Sequence, residues 1–275
     1  MAAMDIGVVA WLTDLDLGIS HLAEMVEQAG LESLFLSEHT HVPVARRDLL
    51  DDPYHANDSR LLDHFVALGA AAAVTSRLKL GTAACVLPQR DPILVAKQVA
   101  TLDHISGGRF LFGVAAGWLD GEMRNHGVEP AQRWDVMREH LLAIKEIWSR
   151  DEAEFHGEHV DFDPIWMWPK VHPPILIGGS GPRLLRTVAE LADGWLPVVA
   201  DSAEFEHSLA TLNRACQEVG RPMVQVTACM FGIDDRLLAV CADHGVRRCA
   251  ILAPRQDRAA LEAFLQECRR LVRQF

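Results

Sequence analysis

The chain has 275 residues, 49% of them hydrophobic, and a formal net charge of −12 at pH 7. This acidic balance argues against a nucleic-acid surface, which needs clustered lysine and arginine side chains. The chain also lacks a run of about 18 apolar residues without a charge, so it has no candidate membrane span. Its first residues show no basic segment before an apolar stretch, so we expect no signal peptide and a cytoplasmic location.

Six cysteines show neither a Cys-x-x-Cys pair nor a regular spacing. Most lie in apolar surroundings, such as Cys85 in AACVLP, and we interpret them as small core residues of a protein in a reducing compartment. The length fits a single domain over residues 1–275, because one α/β barrel needs about 250 residues.

Short β-like runs alternate along the chain with longer helical patterns, which predicts a parallel α/β fold. Eight strands are predicted at residues 5–10, 33–37, 78–87, 109–117, 175–179, 194–198, 224–231 and 247–252. Helices are predicted at residues 19–29, 61–76, 92–106 and 132–149, from 182, at 203–219 and 235–243, and from 257. Eight strands alternating with helices predict a closed (β/α)8 TIM barrel, with an excursion around residues 151–173 that includes a small hairpin turning at Gly157.

The helix predicted at residues 92–106 has clear signals at both ends. Asp91 can cap the free amides of the first turn, and Pro92 suits the first helical position. Gly107 and Gly108 follow the last residue, and glycine is the usual residue at a helix end.

The segment SEHTH, residues 37–41, places an acid and two histidines at the predicted end of the second strand. In a barrel of this type the active site lies at the C-terminal ends of the strands. A metal held by His39 and His41 would need further ligands at later strand ends, and those ends carry small or apolar residues instead, so we predict no metal site. Two interpretations stay open: His39 works beside an organic cofactor, or both histidines are ordinary loop residues.

The segment ILIGGSGP, residues 175–182, places glycines between a predicted strand and a helix that opens with Pro182. Backbone amides exposed at such a helix N-terminus bind phosphate, helped by the helix dipole. The segment lacks the three spaced glycines of a dinucleotide fold. A tight strand-to-helix turn would explain the glycines equally well.

The segment LGTAACVLP, residues 80–88, is a strand of small residues. Small side chains leave room above the barrel mouth for a flat ring, and Thr82 could donate a hydrogen bond to one. Alanines in a strand also simply pack, so this segment by itself decides little.

Together these segments resemble the bacterial luciferase-like monooxygenase superfamily, and within it the oxidoreductases that use the deazaflavin coenzyme F-420. The resemblance is carried, in order, by GLESLFLSEHTHVP (30–43), LGTAACVLPQRDPILVAKQVATLDHISGGRFLFGVAAGW (80–118), HPPILIGGSGP (172–182) and LADGWLP (191–197). Such proteins are (β/α) barrels, often homodimers, that bind F-420 or FMN across the barrel mouth.

The resemblance implies an oxidoreductase that transfers a hydride between F-420 and a small organic substrate. One alternative is an FMN-dependent monooxygenase that uses O2 and reduced flavin from a partner reductase. A second alternative is a non-catalytic flavin-binding barrel.

The resemblance also implies roles for particular residues. Glu38 and His39 match an acid–histidine pair that faces the ring system, and His41 has no counterpart. The implied cofactor-binding residues are Thr82, Ala83, Ala84, Gly117, Trp118, Gly178, Gly179, Ser180, Gly181 and Trp195. Residues 82–84 match a bulge where such proteins place a non-prolyl cis peptide behind the ring.

One position departs from the pattern. Deazaflavin-dependent sugar-phosphate dehydrogenases of this superfamily carry a glutamate as proton donor where this chain has Trp118. The departure predicts a more apolar substrate wall and leaves His39 as the acid/base, since an imidazole titrates near neutrality. We expect loops 41–60, 119–131 and 151–173 to line the substrate pocket. The aromatic residues that could form its wall are Trp11, Tyr54, Trp118, Trp166 and Trp168.

Overall fold

The computed structural model describes residues 4–52, 54–255 and 258–275. In chain order its strands are β1 (Asp5–Ala10), β2 (Ser33–Leu36), β3 (Lys79–Thr82), β4 (Cys85–Val86), β5 (Phe110–Ala115), β6 (Glu152–His156), β7 (Asp161–Trp166), β8 (Ile175–Gly178), β9 (Gly194–Leu196), β10 (Gln225–Met230) and β11 (Arg248–Leu252). Nine of them form one parallel sheet in the order β3-β2-β1-β11-β10-β9-β8-β5-β4. A further pairing of β3 with β5 closes this sheet, so the predicted barrel is confirmed.

The third strand of the barrel is interrupted. The sequence predicts one strand over residues 78–87, whereas the structure has β3 and β4 with a short gap between them. A cis peptide bond joins Ala83 to Ala84 in that gap, at the position that the resemblance implied. Both halves pair with β5, so the barrel still has eight strand positions.

The helices alternate with the strands. They are α1 (Ile19–Gln28), α2 (His64–Val74), α3 (Pro92–Ser106), α4 (Asp120–Asn125), α5 (Arg133–Ser149), α6 (Pro182–Leu191), α7 (Ser202–Glu218), α8 (Asp235–Asp243) and α9 (Arg258–Val272). The bounds of α3 and α8 agree with the prediction, and Asp257, the predicted start of α9, lies outside the described residues. The long loop after β2 contains two 3-10 segments, Val44–Asp51 and Asp58–Arg60.

Helix α4 is the main difference from the prediction, which had a loop over residues 119–131. The helix has only six residues, Asp120–Asn125, and its sequence DGEMRN offers no apolar periodicity. A short helix held by tertiary contacts leaves no such pattern, because most helical stability in proteins comes from packing.

The ends of α3 are as predicted. The side chain of Asp91 accepts a hydrogen bond from the amide of Leu94 at 2.7 Å. Gly107 ends the helix with a left-handed backbone, φ 71°. Glycine adopts that conformation without the steric cost that other residues have.

The barrel interior is filled by a small apolar cluster from the strands: Val9, Phe35, Leu111, Leu176, Leu196 and Ala250. Two glycines make room for it. A Cβ at Gly81 would lie 2.4 Å from the ring of Phe35, and a Cβ at Gly113 would lie 1.8 Å from the carbonyl oxygen of Thr82. Larger residues at either position are therefore incompatible with this packing.

The predicted excursion over residues 151–173 is a hairpin of β6 and β7, paired antiparallel outside the barrel. The predicted turning point, Gly157, is confirmed as part of its turn, since its amide donates to the carbonyl of Val160 at 2.8 Å. Across the described residues, none of the helices is long and apolar enough to cross a membrane. The six cysteines are unpaired, and all but Cys229 are buried.

Candidate functional site

A cavity of about 380 Å³ opens at the C-terminal ends of the barrel strands. Ligand pockets commonly have about 300–1,000 Å³. Eight of the residues predicted for the site line it: Glu38, His39, Ala83, Ala84, Gly117, Trp118, Gly178 and Gly179. The other four, Thr82, Ser180, Gly181 and Trp195, do not line it.

His39 is held from both sides by carboxylates. Its Nδ1 lies 2.7 Å from Oε2 of Glu122, and its Nε2 lies 3.7 Å from Oδ2 of Asp58. Its side chain is only 9% exposed. Burial opposes the charged imidazole, but the hydrogen bond to Glu122 and the surrounding negative charge outweigh it, so the pKa of His39 is raised above 6.5.

Glu38 faces a cation instead of standing free at the mouth. One of its oxygens accepts from Nε of Arg90 at 2.6 Å, and the other accepts from the backbone amide of Val86 at 2.7 Å. Burial opposes the charge on Arg90, but Glu38 raises the pKa of its guanidinium. The carboxylate of Glu38 thus holds β4, whose Val86 lines the cavity, together with Arg90 just beyond it.

Ala83 and Ala84 form a wall of small side chains beside His39. The hydroxyl of Ser37 donates to the carbonyl oxygen of Ala83 at 2.8 Å, which holds the interrupted strand against β2. Thr82 was expected to offer its hydroxyl to a ring. It is fully buried, and that hydroxyl donates to the carbonyl oxygen of Gly113 at 2.6 Å.

The turn after β8 is open. Gly178 and Gly179 line the cavity, while Ser180 is exposed and Gly181 precedes the first residue of α6. Gly179 and Gly181 have φ angles of 118° and 94°, which favour glycine. The amides of the first turn of a helix have no partner within it, so this turn can offer donors to an anion.

Aromatic rings form part of the cavity wall. Trp118 stands edge-on to His39, with ring centroids 5.6 Å apart, and Trp11 stands edge-on to Phe231 at 6.2 Å. Tyr54 packs on Trp11 at 6.3 Å. Trp11, Trp118 and Phe231 line the cavity, whereas Tyr54, also predicted for its wall, does not.

The predicted contribution of residues 151–173 is not found. The structure describes all of that segment, and none of its residues lines the cavity. Trp166, at the end of β7, is 75% exposed, and Trp168, just after the hairpin, is 51% exposed. Of the other two loops, the segment 41–60 contributes His55 and Asp58, whereas none of residues 119–131 lines the cavity.

Three functional candidates were missed by sequence reasoning: His55, Asp58 and Glu122. Nδ1 of His55 lies 2.7 Å from Oδ2 of Asp58, so Asp58 is shared by two histidines. Glu122 lies on α4, and its side chain is 1% exposed. A buried, partnered carboxylate cannot be recognised without the fold, although an acidic residue soon after a barrel strand is a weak signal.

His41 does not join this group. Its ring contacts Thr40, at 2.9 Å, and Asn125, at 2.8 Å. Among the described residues, a set of potential metal-ligand atoms occurs at Glu38, His64 and Cys85, within 4.8 Å of one another. Arg90 binds the carboxylate of that set, which disfavours a cation there.

The arrangement fits a flat redox ring with an anionic tail. Small side chains at residues 83 and 84 and the glycine at residue 117 leave space for the ring. The open turn at residues 179–181 lies at the edge where backbone amides can meet a phosphate. His39 stands beside this space with a titratable nitrogen.

Comparisons with known proteins agree with this picture. The sequence profile described as luciferase-like monooxygenase matches residues 18–234. An uncharacterized protein of Mycobacterium tuberculosis is 40% identical over 274 residues, covering 94% of this chain and 95% of that protein. The FMNH(2)-dependent dimethylsulfone monooxygenase of Pseudomonas putida is 36% identical over 143 residues, 49% of this chain and 39% of that protein.

A solved structure shares the fold at low identity. It is an F-420-dependent secondary alcohol dehydrogenase in complex with an F-420–acetone adduct, with a TM-score of 0.82 and 16% identity. The match covers 98% of this chain and 99% of that one. With the profile match over most of the chain, the closed barrel and the site at its mouth, we conclude that this chain belongs to the luciferase-like monooxygenase family.

Proposed function

We propose that the protein is an oxidoreductase that transfers a hydride between coenzyme F-420 and a small organic substrate. The observation that carries the proposal is the position of His39, a titratable imidazole at the wall of a cavity that otherwise consists mainly of apolar and small residues. An acid/base group next to a redox ring is what hydride transfer to or from a polar bond requires.

Different residues of this chain would bind the cofactor, transfer the proton and exclude water. Ala83 and Ala84 would back the ring, and the amides at residues 179–181 would bind the phosphate of its tail. When bound, the deazaflavin supplies or accepts the hydride at ring carbon C5. His39 would move the proton, while Trp118 and Trp11 exclude water from the substrate. The fold shared with an F-420-dependent alcohol dehydrogenase supports this choice of cofactor.

The test is a fluorescence titration of the purified protein with F-420 and, separately, with FMN. We expect F-420 to bind with a micromolar or lower Kd. Gly181→Ala should weaken binding, because the φ of 94° at this position is unfavourable for alanine. A steric clash is not the cause, since the added Cβ would meet nothing within 4 Å. Gly220→Ala is the matched control, with a φ of 74° and equally open surroundings far from the turn. Absence of F-420 binding at micromolar concentration would contradict the proposal.

A second candidate is an FMN-dependent monooxygenase supplied with reduced flavin by a partner reductase. It is favoured by the 36% identity to the FMNH(2)-dependent dimethylsulfone monooxygenase. Tight binding of FMN, together with O2 consumption when a reductase and NADH are added, would select this function over the first. A non-catalytic flavin-binding barrel would instead bind a cofactor, and His39→Ala would cause no loss of turnover.

We also propose that the protein is a homodimer through α2. After its first residue, His64, this helix (HFVALGAAAAV) is apolar on every side, and such helices are normally buried all round. Its outer face nevertheless exposes Val66, Ala70 and Ala73. Val66→Glu should shift the protein from dimer to monomer in sedimentation velocity. The equally exposed Val44→Glu should leave the dimer intact.

A further inference from the structure

His39 is positioned by groups that lie outside the barrel sheet. Glu122 comes from the short helix α4, 83 residues further along the chain, and its carboxylate lies 2.7 Å from Nδ1. Asp58 comes from the 3-10 segment after β2 and lies on the Nε2 side. Asp58 lines the cavity and Glu122 does not, so Nε2 is the nitrogen on the cavity side.

Glu122 is itself fixed as a carboxylate. Its second oxygen accepts hydrogen bonds from the backbone amide of Thr40 at 2.7 Å and from the hydroxyl of Thr40 at 3.0 Å. Burial favours the neutral acid, but the bonds to His39 and Thr40 outweigh it, and the pKa of Glu122 is lowered. A carboxylate that only accepts hydrogen bonds requires its partners to donate, so Nδ1 of His39 carries a proton.

The other charges around His39 are balanced by further partners. Asp58 is shared with His55 and lies 3.9 Å from Arg255. Glu38 is paired with Arg90. Glu122, by contrast, contacts the imidazole directly and, on its other oxygen, the neutral Thr40. The carboxylate of Glu122 therefore acts mainly on His39.

We propose that Glu122 is a positioning residue that keeps both ring nitrogens of His39 protonated, so that Nε2–H faces the cavity as a proton donor. The site is thereby suited to reducing a carbonyl substrate rather than to oxidising an alcohol. This rests on the proposed hydride-transfer function. The charge state of His39 follows from the contacts in the protein alone and can be measured without any cofactor.

Reduction of a carbonyl requires one hydride and one proton. The Nε2–H bond of His39 breaks with its electron pair left on nitrogen, and an O–H bond forms on the substrate oxygen. The two electrons that reduce the carbonyl would come as hydride from the reduced coenzyme, which would form a C–H bond on the carbonyl carbon as the C=O π bond opens onto oxygen. His39 is left neutral, with its remaining proton on Nδ1 and hydrogen-bonded to Glu122, and takes a proton from solvent to complete the cycle.

The first experiment titrates His39 by ¹⁵N NMR in the protein without cofactor, with His39→Gln to assign its signal. We expect a pKa above 6.5 in the unaltered protein and a lower pKa in Glu122→Gln. A fall of one unit would change the ratio of charged to neutral imidazole about tenfold. Glu122→Asp, which retains the charge, should give an intermediate pKa. Glu139→Gln on α5, which removes a carboxylate bonded to the His159 amide, should change nothing at His39.

The second experiment follows the pH dependence of kcat for reduction by the loaded enzyme. Glu122→Gln should move the alkaline limb to lower pH, while KM and cofactor Kd stay close to the unaltered values. A pKa of His39 at or below 6.5 in the unaltered protein, or an unchanged pKa in Glu122→Gln, would overturn the inference even if the enzyme is active. If the pKa of His39 is raised and falls in Glu122→Gln, as expected, but no cofactor binds, the proposed function is wrong. The effect of Glu122 on the charge of His39 would then remain as a property of the fold.

Discussion

The indole nitrogen of Trp195 donates a hydrogen bond of 2.9 Å to the carbonyl oxygen of Gly179. Trp195 is 1% exposed and stacks on Phe205, with ring centroids 5.9 Å apart. The bond therefore joins the open turn after β8 to the rigid core behind it. Trp195 was expected to contact the cofactor, and its position indicates that it would act on the cofactor through this turn.

Trp195→Phe should weaken the turn and, with it, cofactor binding. Loss of the hydrogen bond and of buried volume should lower the free energy of unfolding by about 1–3 kcal/mol, measured by urea denaturation. The Kd for F-420 should rise several-fold in the same variant. Trp148→Phe is a matched control, because Trp148 is also buried and donates to the carbonyl of Ala96 at 3.1 Å, away from the mouth. Equal effects of both variants on the Kd would show that the turn is not involved.

The ion pair between Glu32 and Arg248 should make the free energy of unfolding depend on pH in the acidic range. Arg248 donates to both oxygens of Glu32, at 2.5 and 2.6 Å, at the opposite end of the barrel from the cavity. Burial raises the pKa of Glu32, but the bonds and charge of Arg248 and Lys79 lower it from 4.5 to about 2. Such a shift corresponds to about 3 kcal/mol of stability, at about 1.4 kcal/mol per unit.

The sign follows from the lowered pKa. The contribution is fully present above pH 4.5 and is lost as the pH falls toward 2, because the unfolded chain takes up the proton first. Glu32→Gln should therefore be less stable than the unaltered protein by about 3 kcal/mol at pH 7. The difference should shrink between pH 4.5 and 2 in urea denaturation curves. A difference that stays constant over this range would mean that the pair is not the cause.

His39→Gln should impair turnover without impairing binding. Losing a general acid or base typically costs about 10²–10⁴-fold in rate. The Kd for the cofactor should change little, because His39 lies beside the ring space and not at the phosphate turn. His41→Gln should behave like the unaltered protein, since His41 contacts Thr40 and Asn125 outside the cavity. A loss of turnover as large in His41→Gln would reverse the assignment of the two histidines.

Gly113→Ala should prevent correct folding of the barrel. A Cβ there would lie 1.8 Å from the carbonyl oxygen of Thr82, and backbone cannot yield as a flexible side chain can. We expect a loss of several kcal/mol, observed as insoluble protein or a greatly lowered Tm. Gly232→Ala, whose added Cβ meets nothing within 4 Å, should have the Tm of the unaltered protein. A soluble Gly113→Ala variant with an unchanged Tm would show that β5 can shift away from β3.

Local patterns in the sequence determined the order of strands and helices. Alternating apolar runs specify which segments enter the sheet, and the Asp91 cap with the Gly107 end specifies α3 to the residue. The segments around residues 37–41, 83–84 and 178–181 also come from strand ends that any parallel barrel brings to one face. These features depend on residues close together in the chain, so they are readable from it.

Contacts between distant segments decided the chemistry around His39. Glu122 and Arg90 reach His39 and Glu38 from 83 and 52 residues away, and neither contact has a local pattern. The charge of a buried imidazole depends on which carboxylates surround it, and this is a property of the packed structure. The sequence alone determined where the histidine lies on the barrel. Only the tertiary structure decided which carboxylates surround its ring nitrogens and so set its charge.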